Sequence, residues 1–89
     1  MFKLENFLDK NGKVNNWPAK RNSKLEVAKY VAGKFDEDRF YSEKEVNKII
    51  DQWHTFGDYF MLRREMVDHK LLARERDGSK YWKVKETSL

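Results

Sequence analysis

The stretch Ser42-Glu43-Lys44-Glu45, followed by Val46, Ile49, Ile50 and Trp53, constrains this chain more than any other. Ser42 and Glu45 stand at the spacing of a capping box, in which a hydroxyl and a carboxylate satisfy each other's free backbone N–H groups at the start of a helix. The apolar residues recur at i, i+3, i+4 and i+7, so a helix over 43–54 presents one buried stripe. Thr55-Phe56-Gly57 interrupts it, and Asp58 is a good N-cap for a further helix running to about His69. Two helices joined by so short a Gly-containing turn have the spacing of a helix-turn-helix.

The flanking segments complete an α+β pattern. Phe2–Leu8 reads as a short helix ended by Asp9-Lys10-Asn11-Gly12, and Val14–Trp17 reads as extended because Pro18 keeps Trp17 out of the α region. Leu25, Ala28, Ala32 and Phe35, widened by Val27 and Val31, predict a helix from Asn22 or Ser23 to Lys34. Phe40-Tyr41 is a one-ladder strand. Leu71–Arg76 and Lys80–Val84, joined through Asp77-Gly78, form a hairpin. Trp82 and Val84 share one face and Tyr81 and Lys83 the other; Trp82 and Val84 are expected inward, with Trp82 against Val46, Ile50 or Trp53. The order helix, short strand, helix, helix, hairpin is that of a winged helix-turn-helix: one domain over 1–89, with an N-terminal arm (1–21), a core (22–85) and a tail (86–89).

Composition narrows the chemistry. Without cysteine there are no disulfides, no thiol catalysis and no thiolate zinc site. The opening Met1–Asn6 lacks the apolar run of a secretory signal, and no segment nears the ~20 apolar residues of a membrane span, so a cytoplasmic protein is expected. The net charge of +4 is unevenly spread: eight Lys/Arg against three Asp/Glu over 1–34, three against seven over 35–58, and eight against four over 59–85. Two basic segments flank an acidic one. A polyanion partner and an ordinary mixed surface with internal ion pairs both fit that pattern.

Leu62-Arg63-Arg64-Glu65-Met66 with Leu71-Leu72-Ala73-Arg74 resembles the recognition helix and wing of bacterial sugar-metabolism repressors. A longer resemblance is to an uncharacterised bacterial domain family found alone or attached to transcriptional regulators. It is carried by Phe7-Leu8, Gly12, Pro18-Ala19-Lys20-Arg21, Phe35, Tyr41-Ser42-Glu43-Lys44-Glu45-Val46-Asn47, Asp58-Tyr59, Leu62-Arg63-Arg64-Glu65, and Arg74, Asp77-Gly78 and Tyr81-Trp82. The resemblance implies a winged helix in a regulatory context and supplies neither ligand nor operator.

Individual residues divide into contact candidates and structural ones. At about 100° per residue, Arg63 falls inside the apolar face of the third helix and Arg64 at its edge. Arg63 is therefore read as structural, its guanidinium paired with Glu45 or Asp51, and Arg64 as the contact to phosphate or base edge. Arg74, Arg76, Lys80 and Lys83 around the hairpin are phosphate candidates, as are Lys20 and Arg21, with Lys24, at the entry to the first long helix. Glu65 and Asp68 would repel phosphates. Trp17, Trp53 and Trp82 are read as structural, Asn47 as bonded to nearby backbone, and His54 and His69 as helix C-caps. Neither a nucleophile motif nor a Gly-rich phosphate loop occurs, so no enzyme, cofactor or metal is expected. Two functions remain: a DNA-binding module of a transcriptional regulator, or a protein-interaction module on the same fold. Clustering of Arg64, Arg74, Arg76 and Lys80 on one face favours the first; an exposed apolar patch around Phe56, Phe60 and Met61 favours the second.

Overall fold

The computed structural model describes residues 2–85; the expected tail, 86–89, lies outside the described residues. A 3-10 turn at Leu4–Phe7 precedes α1 (Arg21–Ala32), β1 (Phe40–Tyr41), α2 (Glu43–Gln52), α3 (Tyr59–Asp68), β2 (Leu72–Arg74) and β3 (Tyr81–Lys83). The fold is thus mixed α+β, three helices against a three-stranded antiparallel sheet of order β1-β3-β2. The helices run slightly shorter than their sequence patterns: α1 stops before Gly33 and α2 before Trp53.

The capping box forms as its spacing predicts. Glu45 N–H donates to Ser42 Oγ at 3.1 Å and Ser42 N–H to Glu45 Oε1 at 2.9 Å. These bonds from Ser42, backbone first, and then the Arg39 charge hold the Glu45 carboxyl below its ordinary range. From this start α2 buries Val46 and Ile50. Val27, Ala28 and Val31 of α1 and Leu62 and Met66 of α3 join them, with Leu72, Tyr41 and Tyr81 from the sheet. Each of the larger aliphatics is worth about 1.5–3 kcal/mol when removed from water. The N-terminal arm contributes to this core. Val14 is fully buried, bridging Leu8 on one side and His54 on the other, and its backbone N–H donates to Trp53 O at 2.8 Å. Trp17 packs partly buried against the same cluster. Trp53 lies half-buried at the end of α2 with the Lys34 ammonium 4.1 Å above its ring.

The hairpin is turned over relative to the sequence-based expectation. Tyr81 is buried, Val84 is exposed and Trp82 is half-buried on the outer face. Trp82 stands opposite Phe40 in the β1–β3 register and meets its ring edge-on at 5.9 Å, not Val46, Ile50 or Trp53. Alternation alone cannot choose which face turns inward. The phenols can: the Tyr41 hydroxyl accepts the Asp36 N–H at 2.7 Å and the Tyr81 hydroxyl reaches Glu43 at 3.5 Å, so both rings enter the core with their polar ends partnered. Between the strands, Glu75 N–H donates to Lys80 O at 2.9 Å, and Gly78 takes a positive φ of 76°. The turn is therefore wider than Asp77-Gly78 alone.

Candidate nucleic-acid interface

An imidazole ties the end of α2 to the start of α3. His54, 4% exposed, has Nδ1 2.7 Å from Ile50 O, and its Nε2 accepts the Asp58 N–H at 2.9 Å. Because Nε2 accepts, Nδ1 carries the proton and donates to the last turn of α2. His54 thus caps α2, as expected, and also ties the start of α3 to it. Asp58 completes the joint by accepting Met61 N–H at 3.1 Å through its carboxylate. At the far end of α3, Leu71 N–H donates to Met66 O at 2.8 Å and Lys70 N–H to Val67 O at 3.0 Å, with Lys70 at φ 60°. These two bonds form a Schellman turn, which directs the chain into β2 beside the helix it has just left. His69 is the C-cap residue there, its ring 3.2 Å from Glu65.

The adjacent arginines of α3 part company as the helical phase predicts. The Arg63 side chain is 13% exposed, and its guanidinium lies 3.2 Å from Glu43 and donates to Asn47 Oδ1. Its carboxylate partner is Glu43, not Glu45 or Asp51, and Asn47 serves Arg63 rather than nearby backbone. Helical spacing carries the reason: 43 and 47 lie one turn apart on the same face of α2, whereas 45 points about 200° from 43. Arg63 therefore cross-links α3 to α2. Arg64 is 74% exposed, and its ion pair among the described residues is with Asp68, at 3.9 Å.

A groove runs between α3 and the hairpin. Arg64, Arg63 and Phe60 line it from the helix, and Arg74 and Tyr81 from the strands. Arg74 reaches it because it faces Tyr81 across the β2–β3 ladder and so projects from the same side of the sheet. With Glu43 engaged by Arg63, the remaining charges that line the groove are Arg74 and the loose, exposed pair of Arg64 with Asp68.

The other basic candidates lie elsewhere. Arg76 and Lys80 flank the hairpin tip together with Glu75 and Asp77. Hydrogen bonds from Ser79, side chain and backbone, hold the Asp77 carboxyl below its ordinary range and keep a negative charge between them. Lys80 bends to the outer face, its ammonium 4.7 Å above the Phe40 ring, and Lys83, opposite Leu72, stands at the other end of the β2–β3 ladder from Arg74. Arg21 and Lys24 lie across from Glu65 and Asp68, while Lys20 sits apart beside Trp17 and Phe2. The structure thus brings together only Arg64 and Arg74 of the expected cluster of Arg64, Arg74, Arg76 and Lys80, and leaves Arg76, Lys80, Lys83, Lys20 and Arg21 outside their groove. Phe60 and Glu43 line the groove and Asn47 supports Arg63 behind it, places that the sequence alone does not assign to them.

Among the described residues, no three His, Asp or Glu side chains gather as a metal site, and no helix is long and apolar enough to cross a membrane. No curated protein and no solved structure matches the chain. The model of one family, described as "Uncharacterized protein conserved in bacteria (DUF2087)", matches residues 13–83, a span that runs from the strand-like segment at Val14 through β3 and includes every residue of the groove. The chain belongs to this conserved bacterial family, DUF2087.

Proposed function

We propose that this chain is a winged helix-turn-helix module that binds duplex DNA through the groove between α3 and the hairpin, as a non-catalytic part of a cytoplasmic transcriptional regulator. The observation that carries the reading is the pairing of Arg64, on the exposed edge of α3, with Arg74, on the hairpin, in one groove. In a helix-turn-helix the second helix approaches the major groove and a flanking element holds the backbone. Arg64 is placed to meet base edges or phosphate, and Arg74 to meet phosphate. Arg63 and His54 fix the helix that presents Arg64. Asp68, the last residue of α3, lines the groove; it opposes deep insertion of the whole helix and favours contact by its first two turns.

The test is a titration of the protein at low salt with mixed-sequence duplex DNA, followed by amide chemical shifts. Shifts concentrated on 60–68 and 72–78 support the reading; saturating DNA without shifts in those segments removes it. One observation favours the rival protein-interaction reading: Phe56, Tyr59 and Phe60 are exposed around the start of α3. Met61, expected in that patch, packs instead against the core. Phe60 and Arg64 line the same groove, so a protein partner there would compete with DNA.

A further inference from the structure

Phe60, in the first turn of α3, is 58% exposed and lines the groove with Arg64 and Arg74. Its neighbours Met61 and Leu62 turn to the core, whereas the Phe60 ring lies beside the arginines. The Arg63 guanidinium is 5.1 Å from the ring centroid, and Arg63 is itself held to α2 by Glu43 and Asn47. The ring is thus backed by a side chain that is fixed in place. Positions 60 and 64 are one helical turn apart, about 40° round α3 and about 6 Å along it. They present a phenyl ring and a guanidinium to the same groove.

A phenylalanine offers nothing to a phosphate. Against duplex DNA it needs an apolar group, and the major groove carries one that differs between bases, the C5-methyl of thymine. We propose that Phe60 is a specificity-determining residue that reads a thymine methyl beside a guanine contacted by Arg64. The inference rests on the DNA-binding reading and adds to it the kind of base pair that α3 selects. Base pairs rise about 3.4 Å along the duplex, so a spacing of about 6 Å sets the thymine within about two base pairs of the guanine. Both residues belong to the first two turns of α3, the part that Asp68 leaves free to approach. The other exposed aromatics of this region do not duplicate the contact. Phe56 meets the His54 ring edge-on at 4.7 Å, and neither it nor Tyr59 lines the groove.

The experiment measures anisotropy of the full chain with two short labelled duplexes of the same sequence. Each has a single guanine flanked on both sides by two thymines, all other pairs being G·C, and in the second duplex every thymine is replaced by uracil. The swap removes the methyl groups and leaves the base pairing and the phosphates unchanged. The parent should bind the thymine duplex about fourfold more tightly than the uracil duplex, the worth of one buried methyl group. Phe60→Ala should bind both equally at a nearly unchanged melting temperature, and Phe60→Leu, which keeps an apolar side chain, should retain part of the preference. Equal binding of the two duplexes by the parent overturns the proposal and leaves DNA binding standing. A preference that survives in Phe60→Ala also overturns it, because the methyl is then read elsewhere. Failure of the parent to bind either duplex at low salt removes the DNA-binding reading and this inference with it.

Discussion

The two faces of the small sheet carry similar residues to different ends. On the inner face Tyr41, Tyr81 and Leu72 are buried, and Arg74 continues the row into the groove beside α3. On the outer face Phe40 and Trp82 pair ring to ring, with Lys80 over Phe40; Phe40 is exposed and Trp82 half-buried. Aromatic content does not distinguish these rows. The inner one consists of phenols whose hydroxyls meet Asp36 N–H and Glu43, so the polar end of each ring is satisfied where it leaves the core. Burial follows the row that can satisfy its polar atoms, and that row then aims Arg74.

The strongest way to break this contrast is to truncate one ring on each face. Tyr81→Ala should cost about 3–5 kcal/mol, as for other large buried aromatics, and a domain this small has little more to spare. Trp82→Ala should cost about 2 kcal/mol, the ring pair with Phe40 together with the buried half of the indole. Thermal melts of the two variants decide it, and a Trp82 variant as damaged as the Tyr81 variant would mean that the hairpin is the other way over.

The same inner-versus-outer division separates consecutive residues of α3. Arg63→Ala removes the charged bonds to Glu43 and Asn47 and should cost about 1.5–3 kcal/mol, the lower end being expected because Glu43 is half-exposed. Arg64→Ala should leave the denaturation midpoint within about 0.5 kcal/mol of the parent, as for other surface substitutions. Equal midpoints in a urea titration would put both arginines in solvent.

A smaller effect concerns the start of α2, which carries Glu43 to Arg63. Ser42→Ala should cost about 1 kcal/mol by removing the cap. The Glu45 carboxyl titrates lower in the folded chain than in the unfolded one, so its contribution is present above the unfolded carboxylate range and fades as pH falls through the folded value. Ser42→Ala keeps the leading cause, the Ser42 backbone N–H, so the pH test is Glu45→Gln: its acid melts should fall less steeply than those of the parent, and parallel curves would mean that the carboxylate contributes nothing.

These contrasts also mark what the sequence made legible. The capping box, the α2 stripe, Asp58 and the opposite fates of Arg63 and Arg64 are local, each fixed by spacing within one helix, and each is present in the fold. The choice of hairpin face, the seating of Val14 between Leu8 and His54, and the partner of Arg63 depend on contacts distant in the chain. The 43/47 spacing is a usable signal only once α3 is known to lie along that face of α2. The basic wing could be counted from the sequence. Its division between Arg74 inside and Lys80 outside follows from the face that Tyr81 takes.

The most direct test of the account is the salt dependence of duplex binding for Arg64→Ala, Arg74→Ala and Lys80→Ala, measured by anisotropy on one duplex. Removing one phosphate interaction should reduce the slope of log affinity against log salt by about 0.9. The account predicts that reduction for Arg74→Ala, which takes away the inner-face hold on phosphate, a weaker affinity for Arg64→Ala, and an unchanged slope for Lys80→Ala, whose ammonium lies on the outer face. A slope that falls for Lys80→Ala and holds for Arg74→Ala would place the DNA on the wrong side of the sheet and contradict the account.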